Sequence, residues 1–338
     1  MIDLRSDTVT RPTPEMLHAM AEAETGDDVF GEDPTANTFE QKIAEMFGQE
    51  AGLFVPSGTM SNQLCVRVLA GPGDEIILDE KAHIFNYETG AAAALSGVQL
   101  RTVSGKNGML SVEDAASAIR TKNDWDPITK VIALENTTNK GGGAWYKLDQ
   151  IKALRSLADQ HGLSLHLDGA RIWNALEASG YSAEEVGKHF DTISVCFSKG
   201  LGSPVGSMML GSRDQIIKAR RFRKMFGGGM RQIGLLAAAT DYAVENHRAF
   251  LKNDHAHALE IAGALERCDA FSINPEDVFT NIILFDTLEI DAVQVADAFR
   301  EKGVAVSVFG PKTIRMVTHF QVSAAQIKQV VKLIDEWD

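Results

Sequence analysis

One lysine, Lys199, stands where an apolar run stops and a turn rich in glycine and proline begins, in SVCFSKGLGSPVG (194–206). Once deprotonated, a lysine amine can attack a carbonyl carbon and hold it as an imine. Upstream, LSLHLDGAR (163–171) closes an apolar run on the carboxylate of Asp168, with Arg171 behind it. Nearer the start, PSGTMSN (56–62) is a turn of small residues opening a helical pattern. Amides at such a helix start, with the hydroxyls of Ser57 and Thr59, can hold a phosphate against the positive end of the helix dipole. Each feature alone has a plainer reading. Ser57 is then only an N-cap, Asp168 a turn cap and Lys199 a solvated strand end.

The elements that must position these groups alternate along the chain. Met60, Leu64 and Val68 fall four apart on one helix face over 60–70. DEIILD (74–79) and TKVIALEN (129–136) read as short buried strands. A helix over 149–160 carries Ile151, Leu154 and Leu157 in register and ends at Gly162. LSLHLD follows as a strand, a helix over 182–190 comes next, and TISVCFS (192–198) is a further strand. Repeated strand and helix predict an α/β fold with a mainly parallel sheet covered on both faces. Ligands of such sheets bind beyond the carboxyl ends of the strands, which is where Asp168 and Lys199 fall. A lysine, a carboxylate and a phosphate cup at neighbouring strand ends are what pyridoxal 5′-phosphate requires: an amine for the imine, an acid to keep the ring nitrogen protonated, and an anion cradle.

From about residue 246 the pattern changes to NIILFDT, a helix over 291–302, VAVSVFG, TIRMVTH and a final amphipathic helix. The expected organisation is an N-terminal arm and large domain over 1–245 and a smaller α+β domain over 246–338. The net charge of −13 disfavours nucleic acid and anionic membrane as partners. Cys65, Cys196 and Cys268 are odd in number and without metal-ligand spacing, which suits reduced thiols in a cytoplasm. MIDLRSDTVT lacks the apolar core of a signal peptide, and no apolar run approaches the ~20 residues of a membrane span. The expectation is a cytoplasmic protein with no membrane partner.

DLRSDTVT, GDDVFGEDP, FVPSGTMSN, HLDGAR, SKGLGSPVGS, RKMFGGGMRQ and RMVTHFQ together resemble the threonine aldolase family of fold-type I pyridoxal phosphate enzymes. The matching blocks run from residue 3 to residue 321. The resemblance implies a large domain with a seven-stranded sheet and retro-aldol cleavage of L-threonine or L-allo-threonine to glycine and an aldehyde. By it, Lys199 carries the cofactor and Asp168 pairs with the pyridinium nitrogen. Ser57, Gly58 and Thr59 bind the phosphate, and His83 stacks over the ring with Glu88 orienting it. Arg171 lies toward the cofactor hydroxyl or the substrate carboxylate, and Ser6, Arg171 and Arg315 clamp that carboxylate, a task suited to the planar guanidinium fork. Lys224 and Arg231 approach the cofactor, partly across a subunit interface, so a homodimer or homotetramer with shared sites is implied. No metal is expected. GDDVFGEDP lacks the oxygen spacing of a calcium loop and is assigned to subunit contact and site shaping.

Relatives often carry histidines near Trp125–Asp126 and at Thr138, and Tyr at Phe30. These departures bear on recognition of the β-hydroxyl, and the NKGGGAWY continuation on pocket shape. Threonine against allo-threonine, a bulkier β-hydroxy-amino acid, and His83 or a water as base all stay open. The nearest rivals are a β-eliminating lyase, a racemase or an aminotransferase on the same lysine and aspartate. A cofactor-binding sensor would lack the lysine or the clamp. A nicotinamide dehydrogenase is disfavoured because no G-x-G-x-x-G follows the first strand.

Overall fold

A computed structural model describes residues 1–337. Its large sheet has seven strands in the order Ala51–Val55, Ser207–Gly211, Thr192–Cys196, Ser164–Gly169, Ile128–Glu135, Asp74–Asp79, Gln99–Val103. Only Ser207–Gly211 runs antiparallel to its neighbours; the remaining pairs are parallel. The predicted strands at 74–79, 129–136, 163–168 and 192–198 all form, within a few residues of their expected ends. Their residues are buried on both faces, so they read as unbroken apolar runs.

Helices close over both faces because their starts and stops are written locally. Ser57 caps Gly58–Leu69 by accepting from the Met60 amide at 3.2 Å. Asp33 caps Pro34–Met46, with proline at the first helical position. Leu148–His161 stops at Gly162, whose φ of +65° is left-handed. The helix expected over 182–190 is shorter, Ala183–Gly187. A side chain at Gly187 would meet the Phe47 carbonyl at 2.1 Å, so the backbone there is pressed against a neighbouring helix end. Beneath these helices Phe39, Phe54, Phe197 and Trp173 join one apolar core, Phe39 and Phe197 with ring centres 5.3 Å apart. Each such buried aromatic side chain contributes about 1.5–3 kcal/mol.

A second core lies in the C-terminal part. An antiparallel sheet of Ser307–Val308, Thr313–Val317, Ile282–Thr287 and Phe271–Ser272 packs with helices Leu251–Arg267, Ala292–Glu301 and Ala324–Asp335. The N-terminus joins this part: Ile2–Asp3 pairs in parallel with Val304–Ala305, and Leu4 is fully buried in the same core. Residues 5–10 then cross back toward the large sheet, so the two cores are laced by the first ten residues as well as by the 246–251 junction.

Candidate active site

Three adjacent strands deliver their carboxyl ends to one edge. Glu135 ends Ile128–Glu135 and sits in register with Asp168 on Ser164–Gly169. Lys199 lies three residues past the end of Thr192–Cys196, half-buried, with its backbone carbonyl accepting from the Thr10 hydroxyl at 3.0 Å. The start of Gly58–Leu69 is drawn over the same edge. A Cβ at Gly58 would lie 2.6 Å from Cys196 Sγ, so only glycine lets the helix start approach this closely.

Around Asp168 the side chains form one buried network. Asn62 Nδ2 donates to Asp168 Oδ2 and to Glu88 Oε1, both at 2.8 Å, and the Ala170 amide donates to Asp168 Oδ1 at 3.1 Å. Gln63 donates to the other Glu88 oxygen at 2.6 Å. His83 Nδ1 lies 2.9 Å from Glu88 Oε1, so that nitrogen carries the proton and the ring is oriented. Burial opposes protonation of His83, but the Glu88 hydrogen bond and the charges of Asp168 and Glu135 outweigh it and raise its pKa. Behind Asp168, His166 is driven down to about 4 by burial and stays neutral. Asn62 and Gln63 escaped the sequence reading. Polar residues on an otherwise core-facing helix, in SNQ, were the available signal.

The second half of the site comes from the N-terminal arm and the C-terminal sheet. Asp7 is completely buried and engages the Arg171 fork, accepting from Nε at 2.8 Å and from Nη2 at 2.7 Å. Burial pushes the Asp7 carboxyl upward, yet Arg171, Lys199 and Arg315 hold it down to about 2. Arg315, on Thr313–Val317, donates from Nη1 to Asn139 Oδ1 at 2.7 Å and from Nη2 to the Arg5 carbonyl at 3.1 Å. Its guanidinium stands 4.3 Å from the Phe309 ring centre, and burial with the nearby Arg171 charge lowers its pKa to about 10. The Arg315 Nε hydrogen is buried without an acceptor among the described residues. Ser6 Oγ accepts from the Thr8 amide and hydroxyl, at 3.3 and 2.8 Å, which fixes the arm's turn.

The chain matches the beta-eliminating lyase family over residues 3–287. It is 42% identical over 342 residues to a probable low-specificity L-threonine aldolase of Arabidopsis thaliana, covering 99% of this chain and 96% of that one. A low specificity L-threonine aldolase of Escherichia coli is 39% identical over 331 residues, covering 98% and 97%. The chain belongs to the threonine aldolase family. A solved threonine aldolase from Leishmania major shares this fold with a TM-score of 0.85 at 20% identity, covering 99% of this chain and 98% of that one.

The family match, together with a solved serine palmitoyltransferase of the same fold that carries pyridoxal 5′-phosphate, implies that cofactor, and the residues present fit it. The glycine cradle at 58, the N-terminal amides of a twelve-residue helix, and the hydroxyls of Ser57 and Thr59 make an anion seat. Asp168 offers a carboxylate held in place by two donors, and Lys199 offers an amine with no carboxylate in ion-pair range among the described residues.

Other residues singled out in the sequence are engaged elsewhere or with their own neighbours. Lys224 is exposed in the last turn of Arg213–Met225, and Arg231 reaches outward to Asp27 at 2.8 Å. The acidic run GDDVFGEDP is spent within the chain. Buried Asp28 pairs with Arg223 and Arg220, and buried Asp33 accepts from the Gly234 amide at 2.8 Å. Much of the basic stretch 218–232 is thereby neutralised. Trp125 is 81% exposed and Asp126 is tied up in its own turn with Thr121 and Asn123. Thr138 is buried, its hydroxyl donating to the Asn107 carbonyl at 2.9 Å. Neither Trp125–Asp126 nor Thr138 therefore presents a free polar group to a substrate.

Proposed function

We propose that the protein cleaves the Cα–Cβ bond of L-threonine and L-allo-threonine, giving glycine and acetaldehyde. The reading is carried by one juxtaposition: a lysine and a buried aspartate at adjacent strand ends, with Arg315 and its unpartnered Nε across from them. Bound at this site, pyridoxal 5′-phosphate supplies an electron sink for the pair left on Cα when the bond breaks.

The chain's own groups do the rest. Lys199 is the residue whose amine would hold the cofactor covalently. Asp168, held by Asn62 and Ala170, keeps a proton on the ring nitrogen. Ser57, Gly58 and Thr59 seat the phosphate. Arg315 binds the substrate carboxylate through its fork, aided by Ser6. Arg171 serves indirectly, because Asp7 already occupies its fork. This grip would set the orientation of the substrate's Cα bonds. His83, with Nδ1–H spent on Glu88, has its second nitrogen left to accept the β-hydroxyl proton directly or through a water. Loss of that proton would release the Cβ side of the substrate as the aldehyde, and one proton returned to Cα would complete glycine.

Lys224 and Arg231 are read as contributions to a neighbouring copy's site in a homodimer or homotetramer. Support comes from their outward placement beside exposed Met225 and Phe30, 74% and 73% accessible. Among the described residues no helix is long and apolar enough to cross a membrane. The three free cysteines suit a reducing cytoplasm.

Purified protein should show a visible absorption band that Lys199→Ala abolishes; a variant that stays yellow removes Lys199 from this role. A panel of L-threonine, L-allo-threonine, phenylserine and the D-isomers, scored for glycine and aldehyde, tests the reaction. Keto acid and ammonia in their place would favour the β-elimination for which the matching family is described.

A further inference from the structure

Two guanidinium groups, Arg171 from the large sheet's edge and Arg315 from the C-terminal sheet, meet on a single neutral oxygen. Asn139 Oδ1 accepts from Arg315 Nη1 at 2.7 Å and from Arg171 Nη1 at 3.4 Å. Asn139 is itself buried, and its backbone N–H donates to Glu135 Oε1 at 2.8 Å, which anchors it to the end of a sheet strand. The glycine run just after it presses on the small sheet's approach. Gly143 has φ +78°, accepts from the Thr280 hydroxyl at 3.0 Å, and has no space for a Cβ.

We infer that Asn139 is the positioning residue for substrate carboxylate binding. It holds Arg315 in the orientation that leaves the Nε–H side of its fork open, and it uses an uncharged acceptor so that the arginine's positive charge stays available. The other Arg315 contacts agree. Nη2 is held by a carbonyl, and the planar face lies against Phe309, so every neighbour that fixes this arginine is uncharged. Arg171 is the contrast: a full carboxylate, Asp7, fills its fork. The pair thus divides into a neutralised arginine that supports the framework and a charged one kept for the ligand. A carboxylate at position 139 would bind both arginines more tightly and compete with the amino acid, because charged acceptors bind guanidinium more strongly than neutral ones.

The inference rests on the amino-acid-cleaving reading for its ligand and not on which bond is broken. The test is calorimetric titration of the cofactor-loaded protein with glycine, alongside steady-state cleavage of L-threonine. Asn139→Ala should weaken glycine binding and raise KM by about tenfold or more, the scale of one hydrogen bond to a charged group, with kcat changing less. Asn139→Asp should match or exceed the wild-type melting temperature and keep the visible band, yet weaken glycine binding at least as much. A merely structural Asn139 predicts the reverse order, with the acceptor-preserving Asp variant binding glycine as the wild type does. Unchanged glycine affinity in either folded variant overturns the inference. Failure of wild-type protein to release acetaldehyde would instead overturn the reaction assigned above, leaving the glycine result to decide on Asn139.

Discussion

At the residue scale the centre is governed by which charges are already spoken for. Asp7 and Arg171 are a fully buried bidentate pair, so Asp7→Asn leaves a guanidinium buried without its counter-charge, a loss of about 3–5 kcal/mol measurable by denaturant melts at neutral pH. Asp7 ionises near 2 when folded against an ordinary 3.8, so its contribution is present above pH 4 and disappears as pH falls toward 2. Wild type should therefore lose about 2 kcal/mol across that window, and Asp7→Asn should not. Glu88 raises the His83 pKa. Replacing it with glutamine should move the acid limb of kcat/KM to lower pH; a stationary limb would show that some other group titrates there. Lys199 and Asp168 could be singled out because they fall at strand ends, whereas His83, which opens a short helix, was singled out only through the family resemblance. Asn62, Gln63 and Asn139 were not, since an amide declares a role only through partners distant in sequence.

At the scale of elements, the site depends on backbones that come closer than side chains allow. Gly58 brings a helix start against Cys196, and an alanine there must displace either the helix or the cysteine. Gly58→Ala is expected to cost about 1–3 kcal/mol and to weaken cofactor retention, read by melting temperature and by visible absorbance after dialysis. Gly143→Ala should destabilise comparably while leaving the phosphate seat intact, which separates general packing from the cradle. Strand positions were readable because both faces of a parallel strand are apolar and the runs stand out between turns. Helix ends were less so: the segment after Ser182 stops at Gly187, where the Phe47 carbonyl intrudes, a contact no local pattern encodes. GDDVFGEDP shows the same limit. Its spacing is not that of a calcium loop, but only the fold reveals that Asp28 meets Arg223 and Arg220 from the helix ending at Met225.

For the whole molecule, the question left to experiment is whether one chain completes its own centre. Lys224 and Arg231 face outward, so two separately inactive proteins, Lys199→Ala and Arg231→Ala, should regain activity when refolded together if each copy lends groups to the next. Activity no greater than that of the parents would make the centre self-contained. A further consequence concerns biosynthesis. Because Ile2–Asp3 pairs with Val304–Ala305, residues 2–3 must wait for a segment made some three hundred residues later before they find their place. Until then Asp7 has no fixed tether and Arg171 no settled counter-ion. A nascent chain halted before residue 304 would thus carry the large sheet's strands and an unassembled pocket, and vitamin capture should begin only after residues 304–305 have emerged.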